Sequence, residues 1–372
     1  MRENRLLLSS PTMHGEEMKY IQEAFDTNWI APLGKNVDCF EQAICDYTGC
    51  GHAAALSSCT AAIHLALKLC GLKADEPVLC SDLTFSATIN PVSYECGKQV
   101  LIDSEYETWN MDPRALELAF QKYPQARIVI VANLYGTPAR LEEIRSICDR
   151  HHAILIEDAA ESLSATYRGR QTGTFGSYNA ISFNGNKIIT SSGGGMLLSA
   201  DEAAVKKARF WATQSKDPAP YYQHSEIGYN YRMSNIVAGI GRGQLLHLDE
   251  HRELKKQIYE RYRDAFAELP LQMNPHAADS EPNYWLSCIL LDRDCHVKPF
   301  DIMARLNEAN IDSRPIWKPM HMQPVFADCD YITLPGENVG EDIFARGLCL
   351  PSDIKMTAAE QDEVIEIIKA MF

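Results

Sequence analysis

Residues 127–162 read RIVIVANLYGTPARLEEIRSICDRHHAILIEDAAES. An apolar run, RIVIVAN (127–133), gives way to turn residues. A helical pattern follows, ARLEEIRSICDRH (139–151), and then a second apolar run, HAILIED (152–158). Strand, helix, strand predicts two parallel strands joined by a helical crossover. The near-continuous apolarity of both runs predicts strands buried on both faces.

The same texture extends outward. PVLC (77–80), KQVLID (98–103), NAISF (179–183) and GMLLS (195–199) read as further buried strands. Residues 60–70, 86–96 and 113–122 read as helices between them. The expectation is an α/β chain with a largely parallel sheet flanked by helices. In such sheets ligands sit beyond the carboxyl ends of the strands. That rule points to residues 81–85, 133–136, 158–161 and 182–187.

After about residue 200 the pattern changes. A charged helix (201–213) leads to a tyrosine-rich loop, PAPYYQHSEIGYNYRMS (218–234), and a long charged helix near 244–268. A strand-like YWLSCILLD (284–292) and helices near 299–310 and 357–371 complete the chain. This divides it into a large domain with an N-terminal arm, 1–243, and a smaller C-terminal α/β domain, 244–372.

Composition bounds the function. The 372 residues are 46% hydrophobic and 23% charged, which is a globular balance with room for two domains. A formal charge of −15 argues against nucleic acid as a partner, while leaving room for a local pocket that takes one phosphate. No apolar run reaches the roughly 18 residues of a membrane span. The opening MRENRLLLSSPTMHGEE has too short an apolar core for a signal peptide, so a cytoplasmic location is expected. The twelve cysteines form no CxxC, and no Cys/His cluster has zinc spacing. They read as reduced, small core residues, and no metal is expected.

Three stretches carry chemistry. In SSCTAAIHLALKL (57–69) small polar residues stop where a strong helix pattern starts. A helix N-terminus offers free N–H groups to a phosphate, and Thr60 adds a hydroxyl; the plain alternative is an ordinary N-cap. In ILIEDAAES (154–162) two carboxylates close an apolar strand, and a buried ionised Asp158 needs a cationic partner. In SFNGNKIITSSGGGM (182–196) Lys187 lies just beyond the next strand. The plain reading is a solvated surface lysine. The GGG of 193–195 has no helix after it and reads as a turn. A lysine in a dry, phosphate-bearing pocket loses its proton readily and attacks aldehydes. A phosphate site, a carboxylate to keep a ring nitrogen protonated, and an amine to capture an aldehyde are together what pyridoxal phosphate needs.

The chain resembles the nucleotide-sugar aminotransferases of the DegT/StrS type, pyridoxal phosphate enzymes of the aspartate-aminotransferase fold. The likeness covers essentially the whole length. It rests on NWIAPLGKNVDCFE, SSCTAAIHLALKL, DLTFSATINPV, NLYGTPA, IEDAAES, SFNGNKIITSSGGGM, GYNYRMSNIVAGIGRGQL and SRPIWKPMHMQPVF. It implies a mostly parallel seven-stranded sheet in the large domain. It also implies roles. Lys187 would be the Schiff-base lysine and proton shuttle, and Asp158 the partner of the pyridine nitrogen. Phe85 would stack on the ring. Cys59, Thr60 and Ser182 would hold the phosphate, joined by Asn230 from a neighbouring subunit of a homodimer with shared sites. Glu161 would lie near the ring hydroxyl and the sugar. Asn28, Trp29, Arg232, Trp317 and His321 would line the substrate cleft, with a satisfied structural histidine as the alternative for His321. Two departures stand out: Cys59 replaces a common glycine, and Glu161 a common Gln or His. The wording of FNGNKII and RPIWKPMH is similar to enzymes that aminate C4 of UDP-4-keto-6-deoxy-N-acetylglucosamine on the bacillosamine route, with L-glutamate as donor. The alternatives are another keto sugar, aminated at C3 or carried on dTDP or GDP, a sugar dehydratase, which typically has histidine in place of Lys187, and a non-catalytic regulatory protein that binds pyridoxal phosphate.

Overall fold

The computed structural model describes residues 4–372; the first three residues of the MRENRLLL stretch lie outside it. A sheet of eight strands forms its centre. In chain order they are β1 (His52–Leu56), β2 (Pro77–Ser81), β3 (Lys98–Ile102), β4 (Ile128–Ala132), β5 (Ile154–Asp158), β6 (Tyr178–Ser182), β7 (Gly195–Ser199) and β8 (Asp330–Ile332). Their spatial order is β1-β7-β6-β5-β4-β2-β3-β8. Only β7 runs against the others, pairing antiparallel with β1 and β6. The quoted stretch folds as read: β4 and β5 pair parallel from Ile128↔Ile154 to Ala132↔Asp158, joined by the helix Leu141–Arg150.

Three elements differ from expectation. β1 was not read as a strand, because its sequence HAAAL favours helix. It is extended because it pairs with β7 along its whole length, and because Glu41 accepts a 2.7 Å hydrogen bond from the Ala55 amide. The expected seven-stranded sheet gains an eighth strand: β8 returns from the C-terminal region to pair parallel with β3. The expected 86–96 helix is a 3-10 turn (Ser86–Thr88) followed by one short helix, Asn90–Tyr94.

A second core lies in the C-terminal part. A four-stranded antiparallel sheet (Leu271–Met273, Ser287–Leu291, Gly347–Leu350, Arg314–Pro315) packs on the helices Leu248–Ala265, Pro299–Glu308 and Ala358–Lys369. Ile258, Tyr262, Ile289, Leu348 and Val364 meet there, and Leu6 joins them from the other end of the chain. The N-terminal arm thus lies against the smaller lobe, with Leu6 bridging Ile311 through the backbone.

The helix Asn235–Leu245 was also not foreseen, since glycine is a poor helix former and its sequence, NIVAGIGRGQL, holds three. Packing explains the glycines. Helices α1 (Glu16–Asp26) and α2 (Lys35–Thr48) press on it from two sides. A Cβ on Gly241 would stand 2.6 Å from the Phe40 ring, and one on Gly243 2.7 Å from the Glu17 backbone nitrogen. The approach is backbone to backbone at Gly243, so neither partner can yield by rotating a side chain. Gly243→Ala is therefore expected to lower stability by about 1–3 kcal/mol, although alanine is the better helix former. Chemical denaturation checks this; a variant as stable as the parent would show that the helices can separate freely.

Candidate active site

The first element of the site is helix α3 (Cys59–Leu69). Ser58 caps it, accepting a 3.1 Å hydrogen bond from the Ala61 amide. That leaves the amides of Cys59 and Thr60, at the first turn, for an outside acceptor. Cys59 is the first helical residue and has no left-handed backbone, so cysteine meets no penalty where glycine is common. The GGG run is more than a turn. Gly193 and Gly194 line the same cavity as the α3 N-terminus, and a Cβ on Gly195 would fall 2.2 Å from the Cys59 nitrogen. Only glycine lets the start of β7 lie against that turn.

The second element is the carboxyl edge of the sheet. Asp158 ends β5 and is buried. Its Oδ2 accepts from the Thr88 hydroxyl at 2.7 Å and its Oδ1 from the Ala160 amide at 3.0 Å, with the Cys59 thiol 3.7 Å away. Among the described residues no cationic side chain forms an ion pair with it. Burial raises its pKa, and the Thr88 and Ala160 hydrogen bonds and the Lys187 charge oppose that rise. An unpaired buried carboxylate facing a cavity is what a protonated ring nitrogen would satisfy.

The third element is Lys187, beyond the end of β6. Its Nζ lies 3.4 Å from Glu161 Oε1 and 4.1 Å from the centre of the Trp285 ring. Its side chain is only 12% exposed, which excludes the surface-lysine reading. Glu161 also accepts a 2.7 Å bond from the Tyr135 amide. Burial nevertheless raises its pKa to about 7, against the pull of Lys187. Trp285 comes from the smaller lobe. Its indole donates to the Asn186 carbonyl at 2.7 Å, and its own carbonyl accepts from the buried Lys255 ammonium at 3.0 Å. Burial lowers Lys255 to about 8.

These elements enclose one cavity of about 280 Å³. Cys59, Thr60, Phe85, Asp158, Glu161, Ser182, Lys187 and Trp317 all line it. Phe85 is 55% exposed, with its ring tilted against Trp317 at 5.2 Å. A wider, more open hollow of about 1160 Å³ lies near Gly51, Arg170 and Asp201, at the opposite ends of the parallel strands, and holds no lysine. Free helix amides, an uncompensated acid and an amine in one small cavity fit the phosphate, ring nitrogen and aldehyde of pyridoxal phosphate.

Not every expected residue arrives there. His321 stands outside the cavity. It is held by Asp82 at 2.7 Å and Glu341 at 3.0 Å, and stacked on Tyr331 at 3.9 Å. Both of its ring nitrogens are thus engaged within the chain. Asn28 and Trp29 are exposed, and Trp29 lines a separate depression with Gly34 and Asn235. Arg232 is half-buried near Glu41, with its Nε unpartnered. Asn230 is exposed and bridges Thr213 through its backbone. Within one chain, then, the expected cleft residues do not converge, apart from Trp317. Conversely, Thr88, Trp285 and Asn186 belong to the cavity and were not singled out. Thr88 lay inside the quoted DLTFSATINPV, but Trp285 read only as part of a strand.

The sequence profile of the DegT/DnrJ/EryC1/StrS aminotransferase family matches residues 11–369. The chain is 49% identical over 374 residues to EpsN of Bacillus subtilis, a protein named as a pyridoxal phosphate-dependent aminotransferase; the match covers 99% of this chain and 96% of the relative. It is 34% identical to GDP-perosamine synthase of Caulobacter vibrioides, covering 97% and 96%. A crystal structure of a DegT DnrJ EryC1 StrS aminotransferase from Brucella abortus superposes with a TM-score of 0.88 at 25% identity, covering 96% of this chain and 95% of that one.

The buried acid predicts a pH dependence. Folded Glu161 keeps its proton to about pH 7, against an ordinary value of 4.5. Between those values the folded chain binds more protons than the unfolded one, so its stability falls as pH rises. In cofactor-free protein, unfolding measured from about pH 4.5 to about pH 8 should show Glu161→Gln losing about 1–3 kcal/mol less than the parent. Parallel curves for the two proteins would mean that Glu161 ionises normally.

Proposed function

Because this chain belongs to the DegT/DnrJ/EryC1/StrS aminotransferase family, and its cofactor is pyridoxal phosphate, we propose that it moves the amino group of L-glutamate to the 4-keto carbon of a nucleotide-linked 4-keto-6-deoxy sugar. A UDP-linked N-acetyl sugar is favoured; the products are the 4-amino sugar and 2-oxoglutarate. The observation that carries this reading is the meeting of Lys187, Asp158 and the α3 N-terminus in one small cavity.

When bound, the cofactor supplies an electron sink that lets an amino group leave one carbon and join another. The protein's own residues do the rest. The amides of Cys59 and Thr60, with the Thr60 and Ser182 hydroxyls, hold the phosphate. Asp158 keeps the ring nitrogen protonated, and Phe85 covers the ring face. Lys187 Nζ takes the proton from the glutamate Cα and, in the second half-reaction, returns one to the sugar carbon. Glu161, close to Lys187, can accept or release a proton near neutral pH, which suits a group beside a shuttle. Trp285 and Trp317 exclude water.

The proposal includes a homodimer with shared sites, Asn230 reaching the phosphate of the neighbouring subunit. It is supported by the exposure of Trp29 and Leu33 and of Tyr222 and Ile227, large apolar groups that a second copy would cover. The proposal also places the enzyme in the cytoplasm, in keeping with its free thiols. Among the described residues no helix is long and apolar enough to cross a membrane. A second reading, amination of a GDP-linked sugar, is supported by the relative named for a GDP-linked product.

Purified protein should be yellow and should bleach on addition of L-glutamate. Among UDP-, dTDP- and GDP-linked keto sugars, the UDP-linked 4-keto N-acetyl sugar should be aminated fastest. Lys187→Ala should lose at least about 10²- to 10⁴-fold in turnover. Full activity in that variant, or colour that glutamate does not change, would end the proposal.

A further inference from the structure

Lys187 sits on irregular chain. Residues 183–194 join β6 to β7 and belong to no helix or strand. A lysine that must meet a bound aldehyde and then carry protons has to be held to within about 0.5 Å. The loop's own backbone does little of this: the Lys187 amide donates to the Asn184 carbonyl at 3.1 Å. The carbonyls on either side of Lys187 are gripped from outside instead. That of Asn186 accepts from the Trp285 indole at 2.7 Å and from the Ser9 hydroxyl at 3.2 Å. That of Ile188 accepts from His251 Nδ1 at 2.7 Å.

Both grips lead back to one helix. His251 and Lys255 stand one turn apart on Leu248–Ala265, so they share a face, and both are buried. A carbonyl oxygen can only accept, so His251 Nδ1 carries the hydrogen. Burial keeps the ring's pKa below its ordinary value, which leaves it neutral. Lys255 acts one step further back. Its ammonium has three hydrogens and finds three acceptors: the Ser352 carbonyl at 2.8 Å, the Trp285 carbonyl at 3.0 Å and the Ser9 hydroxyl at 3.5 Å. None of the three is a carboxylate. A buried charge among neutral acceptors adds little to stability. What these bonds accomplish is to tie the N-terminal arm and two segments of the smaller lobe to a single atom.

Granted the role of Lys187 given under the proposed function, we propose that His251 and Lys255 are positioning residues for the amino transfer, one helix face fixing the peptide groups on both sides of Lys187. His251 does so directly, at Ile188. Lys255 does so through Trp285 and Ser9, at Asn186. Neither lines the cavity, so each acts through other groups. The Trp285 ring that Lys255 braces also lies 4.1 Å from Lys187 Nζ. A shift of Trp285 therefore releases the Asn186 carbonyl and removes the aromatic face beside the amine together.

Hydrogen–deuterium exchange of the peptide spanning 183–190, in the full chain without added cofactor, reads how firmly the loop is held. Lys255→Met and His251→Leu should each speed exchange there at least about tenfold. Ile258→Ala, which truncates the core face of the same helix, should lower the melting temperature and leave that peptide's exchange unchanged. His251→Asn keeps a donor close to where Nδ1 stands and should recover most of the parental protection. In the holoenzyme, saturating L-glutamate should bleach Lys255→Met about tenfold to a hundredfold more slowly than the parent. The half-saturating glutamate concentration should not change, because neither residue touches the amino donor. Ser9→Ala, on the partly exposed arm, should loosen the same peptide to a smaller degree, and it decides the matter if a buried variant fails to fold. Parental exchange at 183–190 in Lys255→Met, His251→Leu and Ser9→Ala alike, or equal loosening in Ile258→Ala, would overturn the proposal. A parent that never turns yellow would remove the proposed reaction instead, and the exchange rates would still decide whether the clamp exists.

Discussion

A buried carboxylate sits at the carboxyl edge of a parallel sheet with, among the described residues, no cation paired to it. Asp158 stays there because β5 is bonded on both sides, by β4 and β6. Its oxygens find the Thr88 hydroxyl and the Ala160 amide, which are weaker compensation than a full charge. The fold thus keeps an unmet demand at one point. Everything around the cavity is arranged by that demand: a helix N-terminus on one side, a lysine on another, and aromatic rings closing the rest. A protonated ring nitrogen such as that of pyridoxal phosphate would meet the demand, so loading the cofactor should stabilise the fold as well as equip it.

Two close backbone approaches make the geometry possible. Gly195 lets β7 lie against the first turn of α3, which aims free amides into the cavity. Gly241 and Gly243 let their helix nest between α1 and α2, so the N-terminal region is locked to the large sheet. The smaller lobe adds Trp285 and Trp317 to the walls, and braces Trp285 from behind with the buried Lys255. Both lobes therefore shape the space beside Lys187. Glu161 shares that space; although Lys187 lies beside it, burial brings its titration near neutrality.

The six strands named by apolar runs, and the helices between them apart from 86–96, were legible because continuous apolarity marks a strand buried on both faces and a 3.6-residue period marks a helix buried on one. The carboxyl-edge rule then selected Asp158, Glu161, Ser182 and Lys187 from the ends of those strands. β1 was not legible, since an alanine-rich run becomes a strand only when β7 lies beside it. The glycine-rich helix was not legible either, because its glycines answer to Phe40 and Glu17, about 200 residues away in sequence.

By itself the sequence determined the α/β class, six of the central strands, and the residues that carry charge at their ends, because local patterning and strand-end rules need no knowledge of distant neighbours. Tertiary structure alone decided that Trp285 and Thr88 join the cavity and that His321 is occupied by Asp82 and Glu341 instead. It alone decided that His14 meets His251, 237 positions along the chain. Such meetings depend on how lobes and helices pack, and packing distances between remote segments leave no periodic mark in the order of residues.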